Sequence, residues 1–140
     1  EYLAEHADMQ VQITHTGSNK PTVDQNRIPR SDVRVRFDLY RKTHGDSFDR
    51  GTVMLDRTHF RRWLAQRGSD YKTFMQELEG EHVLATPRSN KAYLAKDTPI
   101  KLGQSYVIGI TLNHPRLQGI LDDADQAIED LAYNQIRSVS

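Results

Sequence analysis

The plainest pattern in the chain runs from Val33 to Tyr40, where Val33, Val35, Phe37 and Leu39 alternate with Arg34, Arg36, Asp38 and Tyr40. A period of two is the signature of a strand. It predicts one face on a core and one half-basic face toward solvent. Upstream, Leu3 and Ala7 predict a short amphipathic helix over residues 2–9, and Val11 and Ile13 alternating with Gln10, Gln12 and Thr14 predict a short strand. Between the two strands, GSNKPTVDQNRIP holds Gly, Ser, Asn, Asp and two prolines, so residues 16–30 are expected to form a flexible loop with no core role. Downstream, THGDSFDRG turns the chain into TVML, the expected antiparallel partner of the 33–40 strand.

After Leu55 the period changes. Phe60, Trp63 and Leu64 follow the i, i+3, i+4 spacing of a helix behind Asp56 as N-cap, and Gly68 stops it. Ser69 or Asp70 caps a second helix on which Tyr71, Phe74, Met75 and Leu78 repeat the spacing, ended by Gly80. HVLA and KAYLA then predict two short strands around TPRSN, a turn-rich tip. YVIGITL, apolar almost throughout, predicts a strand buried on both faces. Asp122 and Asp123 open a last helix over residues 121–137, with Ala124, Ile128 and Leu131 on one stripe. The sum is an α+β fold, winged-helix-like in its helix-turn-helix plus β-wing over residues 55–95, with extra strands and a C-terminal helix.

At 140 residues one domain is expected, able to bury about 68% of its unfolded surface. The absence of cysteine excludes disulfides, thiolate metal sites and cysteine nucleophiles. No stretch has the roughly 20 apolar residues of a membrane span, and the first ten residues lack a secretory pattern, so a cytoplasmic location is expected. Opening on Glu1 within a helical pattern predicts a piece of a larger protein.

Charge sharpens the picture. The formal net charge is zero, yet residues 27–101 hold 16 Lys and Arg against 10 Asp and Glu, a surplus of six balanced by acidic ends. The candidate phosphate contacts are Arg34 and Arg36 on the strand, Arg57, Arg61 and Arg62 on the first helix, Lys72 on the second, and Arg88 and Lys91 at the wing; Arg67 joins them at the end of the first helix. The competing reading is ordinary solvated charge, paired with Asp38, Asp56, Asp70 and Glu77. Glu77 and Glu79 leave the second helix poorly charged for reading bases, so backbone contacts are expected rather than sequence-specific ones.

His6, His15, His44, His59, His82 and His114 are scattered without metal-binding spacing, and no G-x-x-x-x-G-K-[ST] run is present. No metal, cofactor or catalytic residue is expected. An enzyme built from scattered groups such as His59, Asp97 and Gln104 is the remote alternative. Phe60, Trp63, Tyr71 and Phe74 read as core, while Tyr40 and Tyr93 are the better candidates for stacking on bases.

The run GTVMLDRTHFRRWLAQRGSDYKTFMQELEGEHVL, continued by TPRSNKAYLAKDTP, resembles the winged-helix accessory domains found at the ends of phage and mobile-element replication proteins of the primase-helicase type. The resemblance implies a domain that contacts DNA or a neighbouring replication subunit while catalysis sits elsewhere. It implies helix contacts at Arg61, Arg62 and Lys72, and wing contacts at Arg88 and Lys91. The acidic end of the second helix and the extra strand at residues 106–112 depart from that pattern. Two functions are therefore expected in competition: a non-catalytic nucleic-acid-binding domain, or a protein-protein interaction or oligomerisation module of the same kind of parent, docking through the wing or the C-terminal helix.

Overall fold

The computed structural model describes residues 2–16, 20–24, 28–29, 32–41, 48–86, 90–113 and 119. Arg88 and the expected helix over 121–137 lie outside these residues. The elements are α1 (Tyr2–Glu5) and a 3-10 turn (Ala7–Met9), β1 (Gln10–His15), β2 (Thr22–Val23), β3 (Val35–Arg41), β4 (Phe48–Asp56), α2 (Arg57–Gln66), α3 (Tyr71–Gly80), β5 (Asn90–Ala92) and β6 (Ser105–Thr111). They form a mixed α+β fold on one six-stranded sheet of order β2-β1-β3-β4-β6-β5. All neighbours are antiparallel except β1 and β3, which run parallel with Gln10 opposite Val35 and His15 opposite Tyr40. Among the described residues no helix is long and apolar enough to cross a membrane.

The sheet has two covered faces. On one, Val35, Phe37, Leu39, Val53, Leu55, Ile108, Ile110 and Leu112 meet Phe60 and Leu64 of α2, Met75 of α3 and Tyr2 of α1. On the other, Val11, Val33 and Val107 meet Leu94 and Ala95, with Met54 and Ile100 against them. This second, smaller core is why β6 is apolar along nearly its whole length. Burying both faces removes the pressure to alternate.

Both helices start where the sequence puts them. Asp56 accepts a hydrogen bond from the His59 amide at 3.0 Å, and Asp70 accepts from the Thr73 amide at 3.2 Å and the Thr73 hydroxyl at 2.8 Å. Those two Thr73 bonds hold the Asp70 carboxyl below its usual pKa. Gly68, at φ +70°, turns the chain between the helices in the left-handed region that disfavours a Cβ.

Three expectations change. Arg36 and Asp38 are not on a solvent face; both are buried, because Arg36 donates to both oxygens of Asp38 at 2.9 and 3.0 Å and to the backbone carbonyls of Leu94 and Lys96. The HVLA and KAYLA segments do not pair with each other. Leu84 bridges to Ile110, and β5 pairs with the other end of β6, Lys91 opposite Tyr106, so both lie along the same edge of β6. Two short strands around a turn look like a hairpin in sequence, but β6 offers a longer partner to both. Within the segment over residues 16–30, Thr22 and Val23 form β2 against Thr14 and Ile13, and Pro29 is buried.

Candidate nucleic-acid interface

Where α2 leaves the sheet, the first residue of the helix projects over the end of β6. The Arg57 guanidinium lies 4.5 Å from the centre of the Tyr106 ring, and the Lys91 ammonium, brought opposite Tyr106 by the β5–β6 register, lies 4.9 Å from it. One turn along α2, Arg61 lies 4.9 Å over the ring of Tyr71, the first residue of α3. Residues four apart share a helix face, so Lys91, Tyr106, Arg57, Arg61 and Tyr71 form a row in which cations and aromatic rings interleave. Tyr106 is 43% exposed. Lys72 is exposed in the first turn of α3, beside Tyr71, while the acidic Glu77, Glu79 and Glu81 fall at that helix's other end. Among the described residues no carboxylate lies within ion-pair distance of Arg61, Arg62, Lys72 or Lys91.

The remaining expected contacts fall elsewhere. Arg36 cannot reach a phosphate, since its guanidinium is spent on Asp38, on two carbonyls and on Asp97 at 3.4 Å. Arg34 is half-buried and pairs with the buried Asp56 at 3.0 Å and with Asp32 at 3.7 Å. Arg62 is exposed on another side of α2, near His59. Arg67 lies 4.7 Å over Trp63 and ion-pairs with Glu5, which ties α2 to α1. Tyr40 is half-buried on the opposite face of the sheet, and Tyr93 is 51% exposed beyond β5.

Tyr106 had no part in the expected site. Its signal lay in the polar and exposed start of β6, Ser105 and Tyr106, ahead of the buried run Val107 to Ile110. Its pairing with Lys91 depends on a register that local sequence does not encode.

A second cluster joins α1 to α2. The Tyr2 hydroxyl lies 2.7 Å from Nδ1 of His59, and the His6 ring centre lies 4.9 Å from that of His59. Burial, reinforced by the Asp56 charge and opposed by Arg34, pushes the Tyr2 phenol up to about 12. Burial first, and then His6 and Arg34, lower the pKa of His59. Both groups are thereby held neutral near pH 7, with the phenol donating to the imidazole. Among the described residues no group of three His, Asp or Glu side chains could hold a metal ion. Comparisons with protein-family models, with curated proteins and with solved structures found no match for this chain.

Proposed function

We propose that the chain is a non-catalytic nucleic-acid-binding module that grips the phosphate backbone along α2. The observation that supports this reading most is the interleaved row of Lys91, Tyr106, Arg57, Arg61 and Tyr71. Guanidinium groups resting on rings are pre-ordered and lose less side-chain freedom on binding phosphate. Bases can also stack against partly exposed rings whatever their identity. On this reading α2-turn-α3 is the helix-turn-helix of a winged helix, and Leu84 and β5, both on the edge of β6, take the place of its wing. In this version the first helix and the edge of β6 face the backbone, and the acidic end of α3 stays away from it.

The test is anisotropy of labelled single-stranded and duplex DNA over a range of salt concentrations. If Lys91, Arg57, Arg61 and Lys72 each neutralise one phosphate, log K falls against log salt with a slope of about −3.6 on duplex or about −2.8 on single strands. The Arg57→Gln, Arg61→Gln variant lowers that slope by about two. Affinity indifferent to salt, or lowered as much by Lys20→Gln as by the α2 pair, would sink the proposal.

A further inference from the structure

On the sheet face opposite the helices, a separate groove of about 270 Å³ lies across β3, β4 and β6, lined by Tyr40, Arg50, Gly51, Thr52, Thr111 and Asn113. The strand registers assemble it. His15, Tyr40 and Arg50 stand in one row across β1, β3 and β4, and Thr52 stands opposite Thr111 across β4 and β6. The His15 ring stacks on Tyr40 at 4.4 Å and 16°, and the Arg50 guanidinium sits over the same ring at 4.9 Å. A guanidinium held over a ring keeps its planar fork of N–H groups, the geometry suited to a bidentate oxyanion.

The rest of the lining offers donors. Asn113 uses its side-chain oxygen to accept the Gly51 amide at 3.3 Å, which leaves its NH2 to donate. Thr111 Oγ1 accepts from the Asn113 amide at 3.4 Å, so its hydroxyl proton is available, and Thr52 adds a second hydroxyl directly opposite. Among the described residues the lining holds no carboxylate. The nearest one along β3, Asp38, is saturated by the Arg36 guanidinium and by His15 Nε2 at 2.8 Å. A groove with one cation, several donors and no carboxylate among its lining residues selects an anionic, acceptor-rich group.

We propose that this groove is a binding site for a phosphate-class oxyanion, with Arg50 as the bidentate anchor and Thr52, Thr111 and Asn113 as donors. It is independent of the α2 row, since the sheet lies between them. The oxyanion is free phosphate, the phosphomonoester of a nucleotide, or a phosphate of a nucleic-acid strand, and the three are separated by the probe used.

Amide NMR of the full chain, titrated with inorganic phosphate, a nucleoside 5′-monophosphate, the matching nucleoside and a short single-stranded oligonucleotide, tests it. Saturable shifts at Gly51, Thr52, Thr111 and Asn113 are expected with the phosphate-bearing probes and not with the nucleoside. Arg50→Gln weakens them by about tenfold or more, and Thr111→Val by about two- to tenfold. Arg57→Gln, Arg61→Gln leaves them unchanged, so the groove and the α2 row fail or succeed separately. Tightest binding by the monophosphate assigns the groove to a nucleotide end. Tightest binding by the oligonucleotide, with a salt slope reduced in Arg50→Gln, assigns it to the strand. Absence of saturable shifts at those four amides, or shifts that persist undiminished in both Arg50→Gln and Thr111→Val, overturns the proposal.

Discussion

Replacing Arg36 by Met should cost about 3–5 kcal/mol of stability and leave nucleic-acid binding alone. The side chain is 5% exposed and carries an ion pair to Asp38 at 2.9 Å, two backbone carbonyls and Asp97. A methionine fills comparable space but leaves the Asp38 carboxylate buried with only His15 as partner, and strands the carbonyls of Leu94 and Lys96. Each orphaned carbonyl alone would cost about 1–3 kcal/mol. These losses share one site and do not add, so the whole is set at the cost of breaking a buried pair. With a urea dependence of about 2 kcal/mol per molar, the unfolding midpoint falls by about 2 M. The double variant Arg36→Met, Asp38→Leu removes both charges and should be more stable than Arg36→Met alone. Urea titrations of the wild type, Arg36→Met, Asp38→Leu and the double variant close the cycle. A loss below about 1 kcal/mol in Arg36→Met, or a double variant less stable than that single one, would refute the assignment of this pair as the polar anchor between β3 and the 94–97 segment.

Four further outcomes are expected. Because the pKa of His59 is lowered in the folded chain, the unfolded chain binds the extra proton first, so stability is full above pH 6.5 and falls as acid is added below it; Tyr2→Phe loses the bond to Nδ1 and about 0.5–1.5 kcal/mol at neutral pH, both read by thermal melts. Gly109→Ala places a Cβ 2.6 Å from Thr86 Cγ2 and 2.8 Å from its Oγ1, beside the bond the Gly109 amide donates to that oxygen, and should cost about 1–3 kcal/mol in urea, partly recovered by Thr86→Ala. Asp56→Ala removes the α2 cap and the buried partner of Arg34 together, and should lower stability by about 2 kcal/mol or more and raise amide exchange in the first turn of α2.

What the sequence made legible was local. Asp56, Asp70 and Gly68 mark helix limits by their own chemistry, and apolar spacing alone placed β3, β4, α2, α3 and β6. What it hid was non-local. Arg36 and Asp38 look like solvent-facing residues because their burial depends on each other and on carbonyls about 60 positions away. The 83–92 region read as a hairpin because the edge of β6 that both its segments use lies further along the chain. For the candidate interface, Arg57 and Arg61 stand out as an i, i+4 pair, and Lys91 as a cation near a turn. That they meet over Tyr106 and Tyr71 follows from the β5–β6 register and the packing of α3, neither of which has a local mark.

The placement of β4 between β3 and β6 also dictates an order of assembly. Its pairing with β3 closes a short connection, Arg41 meeting Phe48, whereas on its other side Thr52 waits for Thr111, 59 positions further on. Closing the longer loop fixes far more chain before any contact rewards it. The β3–β4 hairpin is thus the natural nucleus, and α2 and α3 condense on its exposed apolar face. Docking of β6 follows that nucleus and completes both cores at once. Substitutions at Ile108 or Val107 should therefore speed unfolding while barely slowing folding, and substitutions at Phe37 or Val53 should do the reverse.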